Sequence, residues 1–298
     1  MTTSAKGAIL TGTLLFLFPV AVLPQTFDAE RAFGYLRQQC NLGTREPNSN
    51  GHKAAKDWLE TSLHRIKGEY RRVNFTWNDT HRKKTLALTN FHVLFKGQSQ
   101  KRILFCAHWD CRPWADRDPI ASNRSLPVLG ANDGASGTAV LLELCGLLSS
   151  RPPEKSVEII FFDGEDYGTE TNPEGWCLGS KHFAKSARPS DYTYAVLIDM
   201  IGDRDLSIRR EQRSQANAPI VMDQIWSLAA AQGCSAFVDR TGYAIYDDHV
   251  PLIEKGIPAV DLIDLDYPYW HTISDTPDKC SAQSLGQVGN VLEALIYE

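Results

Sequence analysis

The sequence predicts an α/β fold in which helices cover both faces of a central, mixed but largely parallel sheet, an α/β/α sandwich. Apolar runs of strand length alternate along the chain with longer segments whose apolar residues recur at helical spacing. Four of the apolar runs are followed by histidine or carboxylate residues. Because the carboxyl ends of parallel strands lie at one edge of a sheet, we expect these polar residues to meet there.

The composition is that of a globular protein. Of the 298 residues, 43% are hydrophobic and 22% are charged, and the net charge is −5. Nucleic-acid binding requires a concentrated basic surface, and no segment of the chain concentrates lysine and arginine. We therefore expect no nucleic-acid partner.

Residues 1–25 differ from the rest of the chain. Lys6 precedes an uncharged apolar stretch from Ala8 to Val22, which is shorter than the roughly 20 residues of a membrane-spanning helix. We interpret residues 1–25 as a signal peptide, which predicts a secreted or periplasmic protein with a catalytic domain over residues 26–298. An uncleaved amino-terminal anchor is the alternative, because no small-x-small triplet precedes Gln25. Membrane attachment is expected only in that case.

The first half of the domain begins with two helices and two strands. Helical periodicity covers Asp28 to Gln39 and His52 to Ile66. Strands are predicted at Arg71 to Thr76 and at Thr89 to Phe95.

The next strands carry the polar residues. The runs and the residues that follow them are Arg102–Ala107 with His108 and Asp110, the run ending at Phe162 with Glu165 and Asp166, Tyr194–Ile198 with Asp199, and Pro258–Ile263 with Asp264 and, after a short loop, His271. Two adjacent carboxylates repel each other, and burying them is costly unless a cation or a shared proton compensates. Carboxylate and imidazole ligands together suit zinc, so we expect a metal-centred active site at this sheet edge.

Three further helices are predicted between and after these strands. The first runs from Ala135 to Leu148, and we expect its free amides to hold the preceding Asp133 side chain at the crevice. The others are Val221 to Gln232 and Leu285 to Tyr297, the last with Ser281 as its cap. The polar loop at 109–132 is expected to form a wall of the active site.

Cysteine spacing does not indicate a zinc-thiolate site. The chain has seven cysteines, none in a CxxC arrangement. In an exported protein an odd number leaves at least one thiol unpaired. Cys106 and Cys111, on either side of His108, could form a disulfide or could each pack in the core.

Seven segments together resemble a known family. They are FCAHWDCRPWADRDP, LGANDGASG, FFDGEDYG, WCLGSKHF, LIDMIG, YDDHVP and YPYWHTISDTPD. From about Asn41 to the end, the chain resembles the glutaminyl-peptide cyclotransferases (glutaminyl cyclases), especially the bacterial type in the zinc aminopeptidase superfamily. The resemblance implies a zinc aminopeptidase-like fold, one Zn²⁺ and the amino termini of peptides or proteins as substrates. We expect a monomer.

The resemblance also implies roles for individual residues. Asp133, Asp166 and His271 match the zinc ligands, Glu165 the acid/base, Asp199 and Asp247 the carboxylates around it, and Trp176 and Trp270 the aromatic pocket walls. The implied reaction converts an amino-terminal glutamine to pyroglutamate and releases ammonia. Glu165 carries the proton from the attacking α-amine to the leaving group.

A dizinc aminopeptidase is the main alternative. In that class His108 and Asp199 would hold a second metal ion, bridged to the first by Asp133. Aminopeptidases usually have Ser-Asp-His where this chain has Asp247, Asp248 and His249, which favours the cyclase. A non-catalytic binding module is a third class, and the intact ligand set weighs against it.

Two departures distinguish the chain from the animal cyclases. Asp261 stands where those proteins have a histidine, and Asp166 is shorter than their glutamate ligand. Both features fit the bacterial type. Thr138 occupies the position of the partner in the animal disulfide, so that disulfide is not expected here.

Overall fold

The computed structural model describes residues 1–3 and 26–298. The apolar segment interpreted as a signal peptide or anchor lies outside the described residues. Among the described residues, no helix combines the length and apolar character needed to cross a membrane.

The described residues form eight α-helices and eight β-strands. The helices are α1 Ala29–Asn41, α2 Asn50–Leu63, α3 Ala135–Ser150, α4 Leu178–Ser186, α5 Gln212–Asn217, α6 Pro219–Ala231, α7 His249–Lys255 and α8 Ala282–Tyr297. The strands are β1 Glu69–Asp79, β2 Lys84–Phe95, β3 Arg102–His108, β4 Ser156–Phe162, β5 Tyr192–Asp199, β6 Ile208–Arg210, β7 Phe237–Thr241 and β8 Ala259–Ile263.

Six strands form the central sheet, in the order β1-β2-β4-β3-β5-β8. Strands β4, β3, β5 and β8 pair in parallel, whereas β1, β2 and β4 pair antiparallel at the other edge. This arrangement confirms the predicted mixed, largely parallel sheet. The carboxyl ends of the four parallel strands therefore lie along one edge.

Strand β4 explains why the fold has three layers. All seven of its residues are buried, and successive side chains point to opposite faces of a strand. Ile159 and Phe161 belong to the main hydrophobic core, which includes α3, whereas Ile160 and Phe162 pack in a second core with Phe183. An apolar run without polar alternation is typical of such a doubly covered strand.

Element boundaries differ from the predictions mainly at their ends. The second helix begins at Asn50 rather than His52, because Ser49 caps it by accepting a hydrogen bond of 2.9 Å from the His52 amide. Strands β1 and β2 are longer than predicted, because they pair along their full length as a hairpin. The cap at Ser281 is confirmed by its hydrogen bond from the Ser284 amide.

The short helices α4, α5 and α7 were not predicted. They have nine, six and seven residues, too few to show a clear apolar period. Helix α5 depends on Glu211, whose carboxylate accepts hydrogen bonds from the amides of Arg213 and Ser214. Such helices are stabilised by local caps and by tertiary packing.

All seven cysteines are buried free thiols. Cys106 and Cys111 do not form the disulfide considered as one alternative. The Cys111 thiol instead accepts a hydrogen bond from the Arg45 amide at 2.9 Å and donates one to the Val128 carbonyl at 3.0 Å. These thiols contribute to packing.

Candidate metal and acid/base site

The carboxyl edge of the parallel strands brings the predicted polar residues together. His108 is the last residue of β3 and Asp199 is the last residue of β5. After β4, Gly164 adopts a φ of 75° in the turn that leads to Glu165 and Asp166. This left-handed conformation favours glycine, because a side chain there would be strained.

Asp133 lies between two histidines at the centre of the site. Its Oδ2 is 3.7 Å from His271 Nε2, and its Oδ1 is 3.2 Å from His108 Nε2. His108 Nε2 is also 3.1 Å from Asp199 Oδ1. Two potential ligand clusters therefore share Asp133: one with Asp166 and His271, and one with His108 and Asp199.

The Asp133 carboxylate is not held by helix amides as the sequence predicted. Gly134 precedes α3 with a φ of 97° and no side chain caps the helix. Instead, the Asp275 carboxylate accepts hydrogen bonds from the backbone amides of Asn132 and Asp133, at 2.8 and 3.1 Å. These two hydrogen bonds hold the backbone at Asp133 in place. The two oxygens of its carboxylate face His271 and His108.

Arg112 neutralises part of the charge at Asp166. Its Nη1 donates a hydrogen bond of 2.8 Å to Asp166 Oδ1, and the guanidinium also forms two bonds of 2.7 Å with Asp116. Burial by itself raises the pKa of Asp166, but His271 and Arg112 outweigh it and hold the pKa below its usual value. Asp166 is therefore an ionised carboxylate.

Carboxylates also lie behind both histidines. Asp116 Oδ1 is 3.4 Å from His271 Nδ1, and Asp110 Oδ1 is 3.5 Å from His108 Nδ1. A carboxylate behind an imidazole fixes the ring orientation and directs Nε2 towards a metal ion. Asp110 also accepts a hydrogen bond of 3.1 Å from the Glu165 amide. It therefore contacts residues at the carboxyl ends of both β3 and β4.

The cluster of Asp133, Asp166 and His271 fits a zinc ion. Its ligand atoms all lie within 4.8 Å of one another, and all three residues are buried. Asp166 Oδ2 is a buried oxygen without a hydrogen-bond partner among the described residues, which is a costly state unless a cation binds it. Two carboxylates and one imidazole are a donor set that zinc accepts, with a coordination position left open.

The carboxyl group of Glu165 lies beside this cluster and has a raised proton affinity. Burial, followed by repulsion from Asp247 and Asp166, raises the pKa of Glu165 well above its usual value. The Cys177 thiol donates a long hydrogen bond of 3.6 Å to Glu165 Oε1. The Cys177 amide also donates to the Glu165 carbonyl at 2.8 Å, so the same residue fixes the backbone and the side chain.

Asp247 forms a close group with Glu165 and Cys177, with potential ligand atoms within 4.8 Å of one another. Burial and repulsion from Asp199 raise the pKa of Asp247 to about 7. Its Oδ1 accepts a hydrogen bond of 2.5 Å from the Asp248 amide. Glu165 and Asp247 are therefore two neighbouring buried carboxyl groups whose pKa values are both raised.

Three further titratable residues, Asp261, His249 and Glu211, lie behind Asp247. Asp261 is fully buried, and its Oδ2 is 3.5 Å from His249 Nδ1. His249 Nε2 in turn is 3.4 Å from Glu211 Oε2. Burial and repulsion from Asp247 and Glu211 raise the pKa of Asp261 well above its usual value.

An aromatic-walled cavity of about 700 Å³ opens over the site. Glu165, Asp199 and Asp247 line it together with the three candidate zinc ligands. Trp176 and Trp270 lie on either side of His271, with ring centroids 6.4 and 4.2 Å from the imidazole. Every side chain predicted for the site lines this cavity except His108, which lies next to Asp133 and Asp199. The loop at 109–132 does not form a wall of this cavity as predicted; its Arg112 and Asp116 contact Asp166 and His271.

Several residues that shape the site were not predicted. They are Arg112, Asp116, Cys177 and Asp275, together with Lys181 and Tyr246 at the rim of the cavity. Most lie within the segments that carry the resemblance, such as Arg112 in FCAHWDCRPW. Their contacts are with residues distant in sequence, so spacing alone could not assign them.

The chain is similar to known proteins in both sequence and structure. The model of Peptidase family M28 matches residues 90–296. Glutaminyl-peptide cyclotransferase of Bos taurus is 22% identical over 290 residues, which cover 85% of this chain and 78% of the bovine protein.

Two solved structures from Bacteroides thetaiotaomicron have the same fold. A glutaminyl cyclase bound to N-acetylhistamine is 33% identical, with a TM-score of 0.88 over 93% of this chain and 99% of the other. A leucine aminopeptidase precursor is 34% identical, with the same TM-score and the same coverage. The similarity therefore extends to proteins named for both activities.

Proposed function

Because this chain belongs to peptidase family M28, we propose that it is a zinc-dependent glutaminyl-peptide cyclotransferase within that family. It would convert the amino-terminal glutamine of peptides or proteins to pyroglutamate and release ammonia. We further propose that it is exported through residues 1–25 and that the domain over residues 26–298 is catalytic.

The proximity of Glu165 and Asp247 carries this proposal. Potential ligand atoms of the two carboxyl groups lie within 4.8 Å of each other in the cavity beside the ligand cluster, and burial together with neighbouring carboxylates raises the pKa of both. An acid/base that takes a proton from an amine and returns it to a leaving group needs a pKa near the working pH. The similarity to a bacterial glutaminyl cyclase over 93% of the chain supports the same choice.

The proposed reaction is an intramolecular acyl transfer. The α-amine of the substrate forms a bond to its own side-chain carbonyl carbon and gives a proton to Glu165. The bond from that carbon to the amide nitrogen then breaks, and Glu165 returns the proton to the departing ammonia. Because nucleophile and electrophile belong to one residue, a cavity that folds the side chain back on the amine supplies much of the rate.

Asp133, Asp166 and His271 would hold the zinc ion. The chemistry that a bound zinc supplies is Lewis acidity towards the side-chain carbonyl oxygen. Trp176 and Trp270 provide the apolar walls that orient the substrate and exclude water.

A dizinc aminopeptidase is the second candidate, because the cluster of His108, Asp133 and Asp199 is geometrically complete. In that case Glu165 would activate water, and free amino acids would be released. The leucine aminopeptidase precursor with a TM-score of 0.88 supports this alternative.

The deciding experiment presents the purified protein with glutamine-initiated and leucine-initiated peptides. Ammonia, free amino acids and bound metal are measured on the same preparation. Ammonia from the glutamine peptide alone, with one zinc per chain, is the expected result. Free leucine with two zinc ions per chain would instead establish the aminopeptidase.

A further inference from the structure

A groove lies beside the candidate active-site cavity, between β1, α4 and α7. It has a volume of about 460 Å³. We call it the lysine groove and define it by Phe75, Trp77, Lys181, Lys185, Pro251 and Lys255. Neither the proposed reaction nor the ligand clusters use this groove.

The lysine groove adjoins the active-site cavity. Glu174 and Lys181 line both. Lys181 Nζ donates a hydrogen bond of 3.4 Å to the Glu174 carbonyl and lies 5.6 Å from the ring centroid of Tyr246, which also lines the cavity. Lys181 therefore stands at the junction between the two spaces.

The junction lies on the Glu165 side of the cavity. Lys181 is one helical turn after Cys177, the residue that contacts Glu165, and its amide donates to the Cys177 carbonyl at 3.0 Å. Tyr246 directly precedes Asp247. In the proposed function the α-amine contacts Glu165, and the rest of the peptide extends from the carbon that carries this amine. A peptide whose amine lies at Glu165 therefore begins on the side of the cavity that adjoins the lysine groove.

The groove has an excess of positive charge. Three lysines line it, against the two carboxylates of Glu174 and Glu254. Within residues 26–298, no carboxylate lies within salt-bridge distance of Lys181, Lys185 or Lys255. The cavity itself is lined by carboxylates, so the change of charge occurs at the junction.

The floor of the groove is apolar and aromatic. Phe75 stacks on His182 with ring centroids 4.3 Å apart and an angle of 12° between the rings. Burial lowers the pKa of His182, so this imidazole is neutral at pH 7 and adds no charge. Trp77 and Pro251 extend this surface. An extended peptide can lie on it with its acidic side chains directed to the lysines.

We propose that the lysine groove binds the second to fourth residues of the substrate peptide and favours acidic side chains there. This inference rests on the proposed function and adds the substrate class to it. Lys181 and Lys185 are one helical turn apart, about 5.4 Å. An extended peptide covers that distance in about two residues, at roughly 3.4 Å each. Acidic residues close to the amino terminus can therefore reach both ammonium groups.

The test compares three substrates of the zinc-loaded protein. They are glutamine amide, which has no second residue, and two glutamine-initiated hexapeptides with either glutamate or lysine at positions two to four. We expect kcat/KM for the acidic hexapeptide to exceed that for the basic one by about three- to tenfold at low salt, mainly through KM. The ratio should approach one in 0.5 M salt, because salt screens exposed charges.

The variant that tests the groove is Lys185→Glu with Lys255→Glu. It should reverse the preference between the two hexapeptides and leave kcat/KM for glutamine amide within about twofold. The matched control is Lys53→Glu with Lys56→Glu on α2, which makes the same change in net charge away from both cavities. Calorimetric affinity for the pyroglutamyl form of the acidic hexapeptide gives a second readout, and it should fall only in the groove variant.

Three results would overturn the inference. If wild type does not turn over glutamine amide, the proposed function fails and the groove loses its substrate. If the amide is turned over but the groove variant keeps the wild-type preference, the groove does not bind the peptide. If Arg117→Glu, in the depression on the far side of Trp176 and Trp270, changes the preference instead, the peptide leaves on that side.

Discussion

Glu165 owes its proposed role to its neighbours more than to its own chemistry. A glutamate in water is ionised at pH 7 and is a weak base. In this protein, burial and the charges of Asp247 and Asp166 raise the pKa of Glu165, which makes its carboxylate a stronger base. Burial beside other carboxylates is costly for Glu165, and the same burial raises its pKa, which suits it to proton transfer.

Replacing Glu165 by glutamine keeps the shape of the side chain and removes its ability to carry a proton. We expect Glu165→Gln to retain zinc and to lose turnover by about 10²- to 10⁴-fold. Initial rates with a glutamine-initiated peptide and the metal content test this. Glu154→Gln, at an exposed glutamate between α3 and β4 that lines neither the cavity nor the lysine groove, is the control and should stay within about threefold. Full activity of the Glu165 variant would remove this residue from the mechanism.

At the level of elements, the loop between Asp166 and Trp176 places one wall of the cavity. An isolated bridge joins Asp166 to Trp176, so the loop closes on itself. A Cβ atom on Gly168 would lie 2.2 Å from the Trp176 ring. Glycine is needed here because the indole packs directly against the backbone.

Gly168→Ala should therefore displace the indole ring from the cavity. We expect kcat/KM for the glutamine peptide to fall by about ten- to a hundredfold, because small displacements of positioning groups are costly. Gly146→Ala on α3 is the control, since a Cβ there meets nothing within 4 Å. It should leave the kinetics unchanged and raise stability slightly. Unchanged kinetics in the Gly168 variant would show that Trp176 does not orient the substrate.

The strands of the sheet are also joined through a buried carboxylate. Glu158 on β4 accepts hydrogen bonds of 2.8 Å from Arg102 and 2.9 Å from Tyr192, and it lies 3.0 Å from His92 Nδ1. Burial by itself raises the pKa of Glu158, but these contacts outweigh it and lower the pKa to about 2. The ionised carboxylate thus links β4 to β2, β3 and β5.

Glu158→Gln should destabilise the protein at pH 7 by about 1–3 kcal/mol, because it leaves the partly exposed Arg102 guanidinium and the buried Tyr192 hydroxyl without a carboxylate acceptor. The pKa of Glu158 is lower in the folded state than in the unfolded state. Its contribution is therefore complete above about pH 4.5 and is lost as the pH falls towards 2. Urea unfolding of wild type and variant at pH 7, 5 and 4 tests this.

The matched control is Glu69→Gln, which breaks an exposed ion pair with Lys96. Its cost should remain below about 1 kcal/mol at every pH. If the two variants had equal stabilities at pH 7, the buried network would not contribute to stability.

At the scale of the whole molecule, the site joins distant parts of the chain. The three candidate zinc ligands flank different elements: Asp133 precedes α3, Asp166 follows β4 and His271 follows β8. All three elements must be folded before these residues can meet. A metal ion that binds only the folded state stabilises it by mass action.

Removal of zinc by a chelator should therefore lower Tm by about 5–10 °C, and added zinc should restore it. Calorimetry of the holoprotein, the chelated protein and the reconstituted protein measures the shift. Asp133→Asn is the comparison variant, and its Tm should no longer depend on zinc. A chelated protein that has lost its metal and keeps its Tm would contradict a link between this cluster and the fold.

Much of the fold followed from local patterns. The largely apolar runs of β3, β4 and β5 predicted buried strands, because a strand covered on both faces has no regular polar alternation. Their polar ends predicted where a site would form. The residues of the candidate site were named from these ends and from the resemblance.

Only the tertiary structure decided the environment of those residues. The sequence could not reveal that Asp275 holds the backbone at Asp133, that Arg112 binds Asp166, or that Cys177 contacts Glu165. The first two contacts join residues more than 50 positions apart. The physical reason is that burial and proximity set the proton affinity of a carboxylate, and both are properties of the packed chain. Residue types and their order determined what the site contains, and packing determined the charge that each group carries.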